Sequence, residues 1–525
     1  MKNAVETKSY WTDSTKMPRY GRLSRDLDVD VVVVGAGITG LTAAYLLKRA
    51  GRRVAVLERR GVGGVDTMST TAHVTCVTDR PLSELVHSFG RDHAQAVWDA
   101  GLAAIAQIDS IVRGERIDCG WVFVDGVKHA APGQASARQL KPLQDEAALA
   151  RELTFEARYV DSAPFVGVPG IVFGGQARIH PARYLAALAS LVDGDGSFVF
   201  EESACEEVVD EPLSVKANGR TLSCEYVVLA THTPLMGKTS LASATLLQTK
   251  LYLYTSYVVG GSVSKGTLPD LLFWDTADPY HYLRIDARPD DDFAIFGGND
   301  HKTGQASDEQ KCFAELEAAA RALIPGLDVT HHWSGQVVET NDGLPFIGET
   351  SSRQFAGTGF AGNGTTFGTL TGMMAADAAL GLKNPWSELF DVGRTKIRGG
   401  AWDYIKENID YPYYMLRAST WLSAALSVVE GRDRISGPDA TSLRELRRGE
   451  GRIVELRGER VAASRSDHGR ITLLSPICTH MGCQVEWNTA ERTWDCPCHG
   501  SRFTPTGEVL AGPAETPLEK RSVRT

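Results

Sequence analysis

The apolar positions near the start of the chain form two tight blocks with a periodic stretch between them. Asp28 to Val34 (DVDVVVV) is almost continuously apolar, which predicts a strand buried on both faces. Leu41 to Ala50 (LTAAYLLKRA) predicts a helix closed by Gly51, and Arg53 to Leu57 (RVAVL) a second buried strand ending at Glu58. Much later, Leu251 to Val259 (LYLYTSYVV), His281 to Asp286 (HYLRID) and Phe293 to Gly297 (FAIFG) alternate apolar with polar residues. That pattern predicts an antiparallel sheet covered on one face. Thr369 to Leu380 predicts another helix. From about Gly437 the runs shorten and are separated by Gly, Asp and Asn. Arg452 to Leu456, Arg460 to Ser464, Ile471 to Leu474 and Thr493 to Asp495 predict a small β domain.

Length and composition narrow the picture. With 525 residues, two or three domains are expected, and 43% hydrophobic with 23% charged residues fits an ordinary globular protein. A net charge of −10 argues against nucleic acid as a partner, because phosphate binding needs a surplus of Lys and Arg. No apolar run reaches the roughly 18 residues of a membrane span, so no integral span is expected. The polar N-terminus lacks a secretory signal, which gives a cytoplasmic expectation. The nearest approach to a membrane segment is Tyr414 to Val429 (YMLRASTWLSAALSVV); Arg417 and its Ser and Thr residues favour a docked helix.

Between the first strand and helix lies Gly35-Ala36-Gly37-Ile38-Thr39-Gly40, with Glu58 at the end of the next strand. This context turns a common glycine pattern into a dinucleotide cradle. Gly35 permits the tight turn, Gly37 admits a pyrophosphate, Gly40 lets helix and strand pack, and Glu58 can bind an adenosine ribose. The helix start adds free N–H groups and a positive dipole end for the phosphates.

Two further segments, Thr340 to Gly348 (TNDGLPFIG) and Phe355 to Gly368 (FAGTGFAGNGTTFG), carry a likeness beyond the cradle. With them the chain resembles the D-amino acid oxidase and glycine oxidase superfamily from about Asp28 to Leu382. The resemblance implies FAD, held in a Rossmann-like α/β domain with an antiparallel β substrate domain. The expected blocks are 1–90, 165–245 and 335–385 for FAD binding, and 91–164 with 246–334 for the substrate domain. The FAD contacts it implies begin with Gly35, Gly37, Ile38, Thr39, Gly40, Glu58 and Arg59. Thr67, Thr70, Thr71 and Ala72 follow in the segment after the second strand, then Val208, as a backbone contact, and Ala230 near the adenine. Gly359, Phe360, Gly364, Thr365 and Thr366 are expected at the flavin. Tyr282 and Arg284, two apart on one strand, share a face. If that face meets the flavin, Arg284 can clamp a substrate carboxylate; the alternative is a surface salt bridge. His73 and His180 are weaker candidates, and no catalytic base stands out.

Cys478, Cys483, Cys496 and Cys498 crowd beside His480 and His499, while the other five of the nine cysteines are scattered. C-x-H followed after fifteen residues by C-x-x-H is the pattern of Rieske proteins. The resemblance implies a C-terminal all-β Rieske domain over 437–525, joined by a helical linker over 386–436. It assigns Cys478 and Cys496 to one iron of a [2Fe–2S] cluster and His480 and His499 to the other. Cys483 and Cys498 match the disulfide of cytochrome bc-type members. Ser501 matches a hydroxyl that donates to the cluster, whereas Phe503 stands where the pattern has tyrosine, which points to a potential below the top of the Rieske range of about −150 to +300 mV. A tetrahedral zinc site is the competing reading.

Together these features predict a flavoenzyme that oxidises a C–N bond of an amine or amino acid. Its electrons would leave singly through the cluster to a quinone, a cytochrome or another redox protein. Reverse flow into the flavin and a pure electron-transfer module are the alternatives. An oxygenase would need a mononuclear iron site, and none of the 13 histidines forms its H-x4-H pair.

Overall fold

The computed structural model describes residues 7–133, 136–233, 250–306, 308–394, 443, 445–456 and 459–521. Most of the expected 386–436 linker, including Tyr414 to Val429, lies outside the described residues; the helix Ser387–Phe390 is its described start.

The four consecutive valines of Val31–Val34 are all buried and form the middle of a six-stranded sheet. They pair in parallel with Val54–Leu57 on one side and Tyr226–Leu229 on the other. Phe198–Phe200 and Gln354–Thr358 extend the sheet in parallel, and Phe346–Ser351 closes it antiparallel. The helices Ile38–Arg49 and Gly364–Ala379 cover one face and cross closely. A Cβ on Gly368 would lie 2.7 Å from Ile38, and one on Gly372 2.8 Å from Thr42, so glycine is what allows the crossing.

The predicted elements shift at their ends for identifiable reasons. Leu27–Asp28 leaves the first strand to pair with Leu222 and Ser223 in a separate four-stranded sheet. The break falls at Asp30, whose carboxylate accepts from the Arg53 N–H at 2.7 Å. The first helix starts at Ile38 rather than Leu41, and the late one at Gly364 rather than Thr369. In both, the glycine-rich segment itself builds the first turn.

The alternating strands form a nine-stranded sheet beside this core. Leu251–Ser264 pairs antiparallel with Asp291–Lys302 and Asp328–Thr340, and Tyr282–Ala287 pairs with Asp291–Lys302. Gly170–Arg178 and Val122–His129 also belong to it, so the expected 165–245 block straddles the two sheets.

The C-terminal strands build two small antiparallel sheets. Gly451–Leu456, Glu459–Arg465 and Ile471–Leu474 make one. Glu486–Asn488, Thr493–Asp495, Arg502–Phe503 and Val509–Ala511 make the other. This β unit packs on the nine-stranded sheet. Gln336 Nε2 donates to the Gly500 carbonyl at 2.8 Å, Gln305 Nε2 to the Pro497 carbonyl at 3.0 Å, and Ser334 Oγ to Glu491 at 2.7 Å. The approach is close: a Cβ on Gly500 would lie 2.6 Å from Leu253, and one on Gly304 2.9 Å from the Pro497 nitrogen.

Candidate functional site

One cavity of about 1450 Å³ runs from the N-terminal glycine cradle, across the end of the helix Gly364–Ala379, to the Rieske-like unit. Its first end is built by backbone. Gly35 has φ +107°, and a Cβ there would sit 2.3 Å from the Ala230 carbonyl oxygen. Gly40 is tighter, 1.9 Å from the Gly35 oxygen, and does not line the cavity; its task is packing. Gly37 lines the cavity, and its Cβ would meet only Thr67 Oγ1 at 3.1 Å. It therefore keeps open a cradle that a side chain would fill. Glu58 is buried at the cavity edge, accepting from the N–H groups of Ala36 (3.0 Å) and Arg60 (2.9 Å), with carboxylate lone pairs to spare. These features fit the adenosine and pyrophosphate of FAD.

Of the other expected contacts, Ile38, Thr39, Arg59, Thr67, Thr70, Thr71, Ala230, Phe360, Gly364 and Thr365 line the cavity. Four do not, and each has another task. Ala72 is fully buried at φ +56°. Gly359, at φ +77°, leaves room for Thr340, which a Cβ would meet at 2.2 Å. Thr366 Oγ1 donates to the Thr75 carbonyl at 2.9 Å. Val208 turns its side chain into the core between the six- and four-stranded sheets, and Ala204 and Cys205 line the cavity beside it.

The substrate-side expectations divide. Tyr282 lines the cavity, its hydroxyl hydrogen-bonded to Ser256 Oγ, and Ser256 donates to Asp300 at 2.6 Å. Burial pushes the Asp300 carboxyl up to about 7, with Asp79 adding to the rise. Asp79 accepts from the Tyr280 hydroxyl at 3.0 Å and the Gly362 N–H at 2.6 Å, and burial raises it too. His73 also lines the cavity, edge-on to Tyr282 with ring centroids 5.8 Å apart. Burial, with Arg284 nearby, pulls it down to about 3, so the ring is neutral.

Arg284 is corrected. It is 1% exposed and does not line the cavity. Its Nη1 donates to the carbonyls of Ala72 (2.7 Å) and Ile179 (3.0 Å), its Nε to that of Ile285 (3.1 Å), and its guanidinium lies over Trp11. It is neither a carboxylate clamp nor a surface salt bridge, but a cation that braces the Thr70–His73 segment from behind. His180 is likewise structural, accepting from Arg183 N–H at a helix start.

At the Rieske-like end, two tight turns bring the expected ligands together. Cys478 N–H donates to the Cys483 carbonyl at 2.8 Å and Cys496 N–H to the Ser501 carbonyl at 2.8 Å, with Gly482 and Gly500 at positive φ. Cys483 and Cys498 form a disulfide between the turns. The His480 and His499 rings stand 4.8 Å apart, and burial pulls them to about 4 and about 3, the neutral state that ligates metal. Cys478 lies beside Cys496, which lowers it most, and also beside the Ser501 hydroxyl. Two adjacent thiols and two neutral imidazoles carried on the same pair of turns are the donor set of a Rieske centre.

The sequence description of FAD dependent oxidoreductases (DAO) matches residues 30–378, well over half the chain. The chain belongs to the FAD dependent oxidoreductase family. A second description, the Rieske [2Fe-2S] domain, matches residues 439–522 of this oxidoreductase. The Rieske 2Fe-2S iron–sulfur protein YhfW of Bacillus subtilis (strain 168) is 30% identical over 526 residues, covering 99% of this chain and 98% of that one. The cytochrome b6-f complex iron–sulfur subunit of Chlorobaculum thiosulfatiphilum is 43% identical over 56 residues, 11% of this chain and 31% of its own. Among solved structures, glycine oxidase from Geobacillus kaustophilus superposes with a TM-score of 0.58 at 18% identity, covering 70% of this oxidoreductase and 99% of that chain. The oxidoreductase thus carries FAD and a [2Fe–2S] cluster as its cofactors. Among the described residues no helix is long and apolar enough to cross a membrane.

Sequence reasoning missed Ser256, Asp79, Tyr280, Asp300 and Gln336. They come from separate strands and loops and form no local motif. Ser256 and Asp300 meet at a β-bulge between Thr255 and Tyr257, which period-2 alternation does not reveal.

Proposed function

We propose that this oxidoreductase oxidises a C–N bond of an amine or amino acid and passes the electrons through its Rieske centre to an external redox partner, a quinone, a cytochrome or another redox protein. FAD supplies two-electron acceptance from carbon, and the cluster supplies one-electron release. The observation that carries the reading is the shared cavity. The glycine cradle, the Tyr282–Ser256–Asp300 wall and the Rieske segment Glu508–Pro517 border a single space.

In this reading Gly37, Glu58, Thr67, Ala230 and Thr365 hold FAD. Thr70, Thr71 and Phe360 border its ring, and backbone N–H groups at Gly364 favour negative charge there. Tyr282 and His73 orient the substrate near the reacting carbon. Cys478 and Cys496 hold one iron, His480 and His499 the other. Gln336 lines the cavity and also grips Gly500 in the second cluster loop, so one side chain spans both cofactor sites.

The test is anaerobic mixing with a panel of amines and amino acids. A substrate should bleach flavin absorbance first, and the reduced-cluster paramagnetic signal should follow. Cluster reduction preceding flavin bleaching would reverse the direction, and a panel without any bleaching would sink the amine reading.

A further inference from the structure

We infer that Asp300 is the proton acceptor for a cationic amine bound at the Tyr282 wall of the cavity, so that the substrate enters as an ammonium ion and is oxidised as the free amine. The inference rests on the amine reading above and narrows it. Asp300 Oδ1 accepts from Ser256 Oγ at 2.6 Å, and Ser256 in turn shares a hydrogen bond with the Tyr282 hydroxyl. With the serine hydrogen committed to Asp300, the tyrosine must be the donor to serine. Both hydroxyl hydrogens then point along the chain towards one carboxylate. Among the described residues no hydrogen bond reaches the second oxygen, Oδ2, which is left for a ligand. All three residues line the cavity. His73 lines the same cavity, its ring edge-on to Tyr282.

The surrounding charges set both the selectivity and the proton affinity. Asp79, held by Tyr280 and Gly362, adds a second carboxylate near Asp300 and raises its proton affinity. His281, paired with Asp275 at 3.2 Å, acts in the opposite sense. The neighbouring tyrosines 280 and 282 are pushed far above their ordinary range by burial and stay neutral. Arg284, the cation that would have favoured a carboxylate, is turned into the protein. Lys128 also lines the cavity and acts on Asp79, offsetting part of its charge, which leaves Asp300 as the carboxylate that favours an ammonium group over an anionic one. Flavin-dependent C–N oxidation needs the nitrogen lone pair, which an ammonium ion lacks. Asp300 supplies the missing step: one N–H bond breaks, one O–H bond forms on the carboxylate, and the electron pair stays on nitrogen. A carboxyl near neutrality is matched to that exchange, since it is partly ionised at working pH and still basic.

The sign of the pH dependence follows. Asp300 must be ionised to accept the proton, so flavin reduction should rise with pH through about 7. The experiment is anaerobic single-turnover flavin bleaching of the full-length holoprotein against pH, using primary and secondary amines with and without an α-carboxylate. Asp300→Asn should retain FAD, bleach about 10²-fold more slowly near neutrality, and gain rate only where the free amine itself deprotonates. Ser256→Ala, which removes a hydrogen bond that stabilises the carboxylate, should move the wild-type midpoint upward. It also serves if the Asn variant loses FAD. In substrate-free protein, the infrared band of a protonated carboxyl should titrate near 7 and vanish in Asp300→Asn. Amines that bleach the wild type with a pH profile unchanged in Asp300→Asn would overturn the inference while leaving the amine reading intact. A preference for α-carboxylate substrates would overturn its cationic selectivity. If no amine bleaches the wild-type flavin, both fall together, and the infrared titration separately reports whether Asp300 holds a proton near neutrality.

Discussion

The two cofactor sites of this oxidoreductase are built by opposite means. In the proposed reading the Rieske centre takes its donors from side chains in two short turns, all between Cys478 and His499. The flavin cradle is mostly backbone, gathered from segments as distant as Gly35 and Thr365, and its key residues act by having little side chain at all. A side-chain site therefore fails when a ligand atom is removed. A backbone site fails when an atom is added. The expected losses should separate cleanly. Cys496→Ser should abolish iron and labile sulfide while FAD stays near one per chain. Gly37→Val should do the reverse, because its Cβ meets only Thr67 Oγ1 at 3.1 Å and the rest of the side chain enters the cradle. Metal analysis and released-flavin absorbance check both. Loss of both cofactors in either variant would show that the two sites fold as one unit.

Arg284 tests the comparison from within the flavin half. Arg284→Lys keeps the charge but cannot reach the carbonyls of Ala72, Ile179 and Ile285 together. Leaving one or two buried acceptors unmet costs about 2–4 kcal/mol. The damage should fall on the Thr70–His73 segment, seen as weakened FAD retention and a lower melting temperature. For substrates that still turn over, KM should change little. A raised KM with full FAD occupancy would instead restore a substrate-facing role.

The same contrast explains what was legible beforehand. The Rieske domain was legible from its C-x-H and C-x-x-H turns, because metal ligation demands particular atoms at particular spacing. Gly35, Gly37 and Gly40 were legible for a weaker reason: close approach demands glycine, and the flanking strand and helix supplied the context. The periodicity of Tyr282 and Arg284 placed both on one face but could not say how far along it the cavity extends. Tyr282 lies inside the cavity, and Arg284, two residues on, lies beneath the Thr70–His73 segment. Asp300, Ser256 and Asp79 were invisible because a β-bulge between Thr255 and Tyr257 brings the first two together and a loop supplies the third. Gln336 was hidden similarly, as a polar residue in a strand whose partner is a domain 164 residues away.

Gln336 also gives the smallest and most specific test, because it touches both kinds of site. It is 6% exposed, and its Nε2 is shared between the Gly500 carbonyl at 2.8 Å and Thr303 Oγ1 at 3.1 Å. Gln336→Leu keeps the volume and removes the donor. The contacts of Gln305 with Pro497 and of Ser334 with Glu491 remain, so the Rieske unit should stay docked and both cofactors should stay bound. What changes is how firmly the second cluster loop is held. Losing one net hydrogen bond costs about 1 kcal/mol, which is about a fivefold rise in the population of a locally opened state. Amide hydrogen exchange at Gly500 and Ser501, whose neighbours carry the cluster turn, should quicken by that factor, while exchange at the Cys478–Cys483 turn stays at the wild-type rate. An equal rise in both turns would mean that the whole domain loosens, and that Gln336 secures the docking rather than the loop. An unchanged rate would place the hold on Gly500 in the backbone approach to Leu253, where even a single added methyl group has no room.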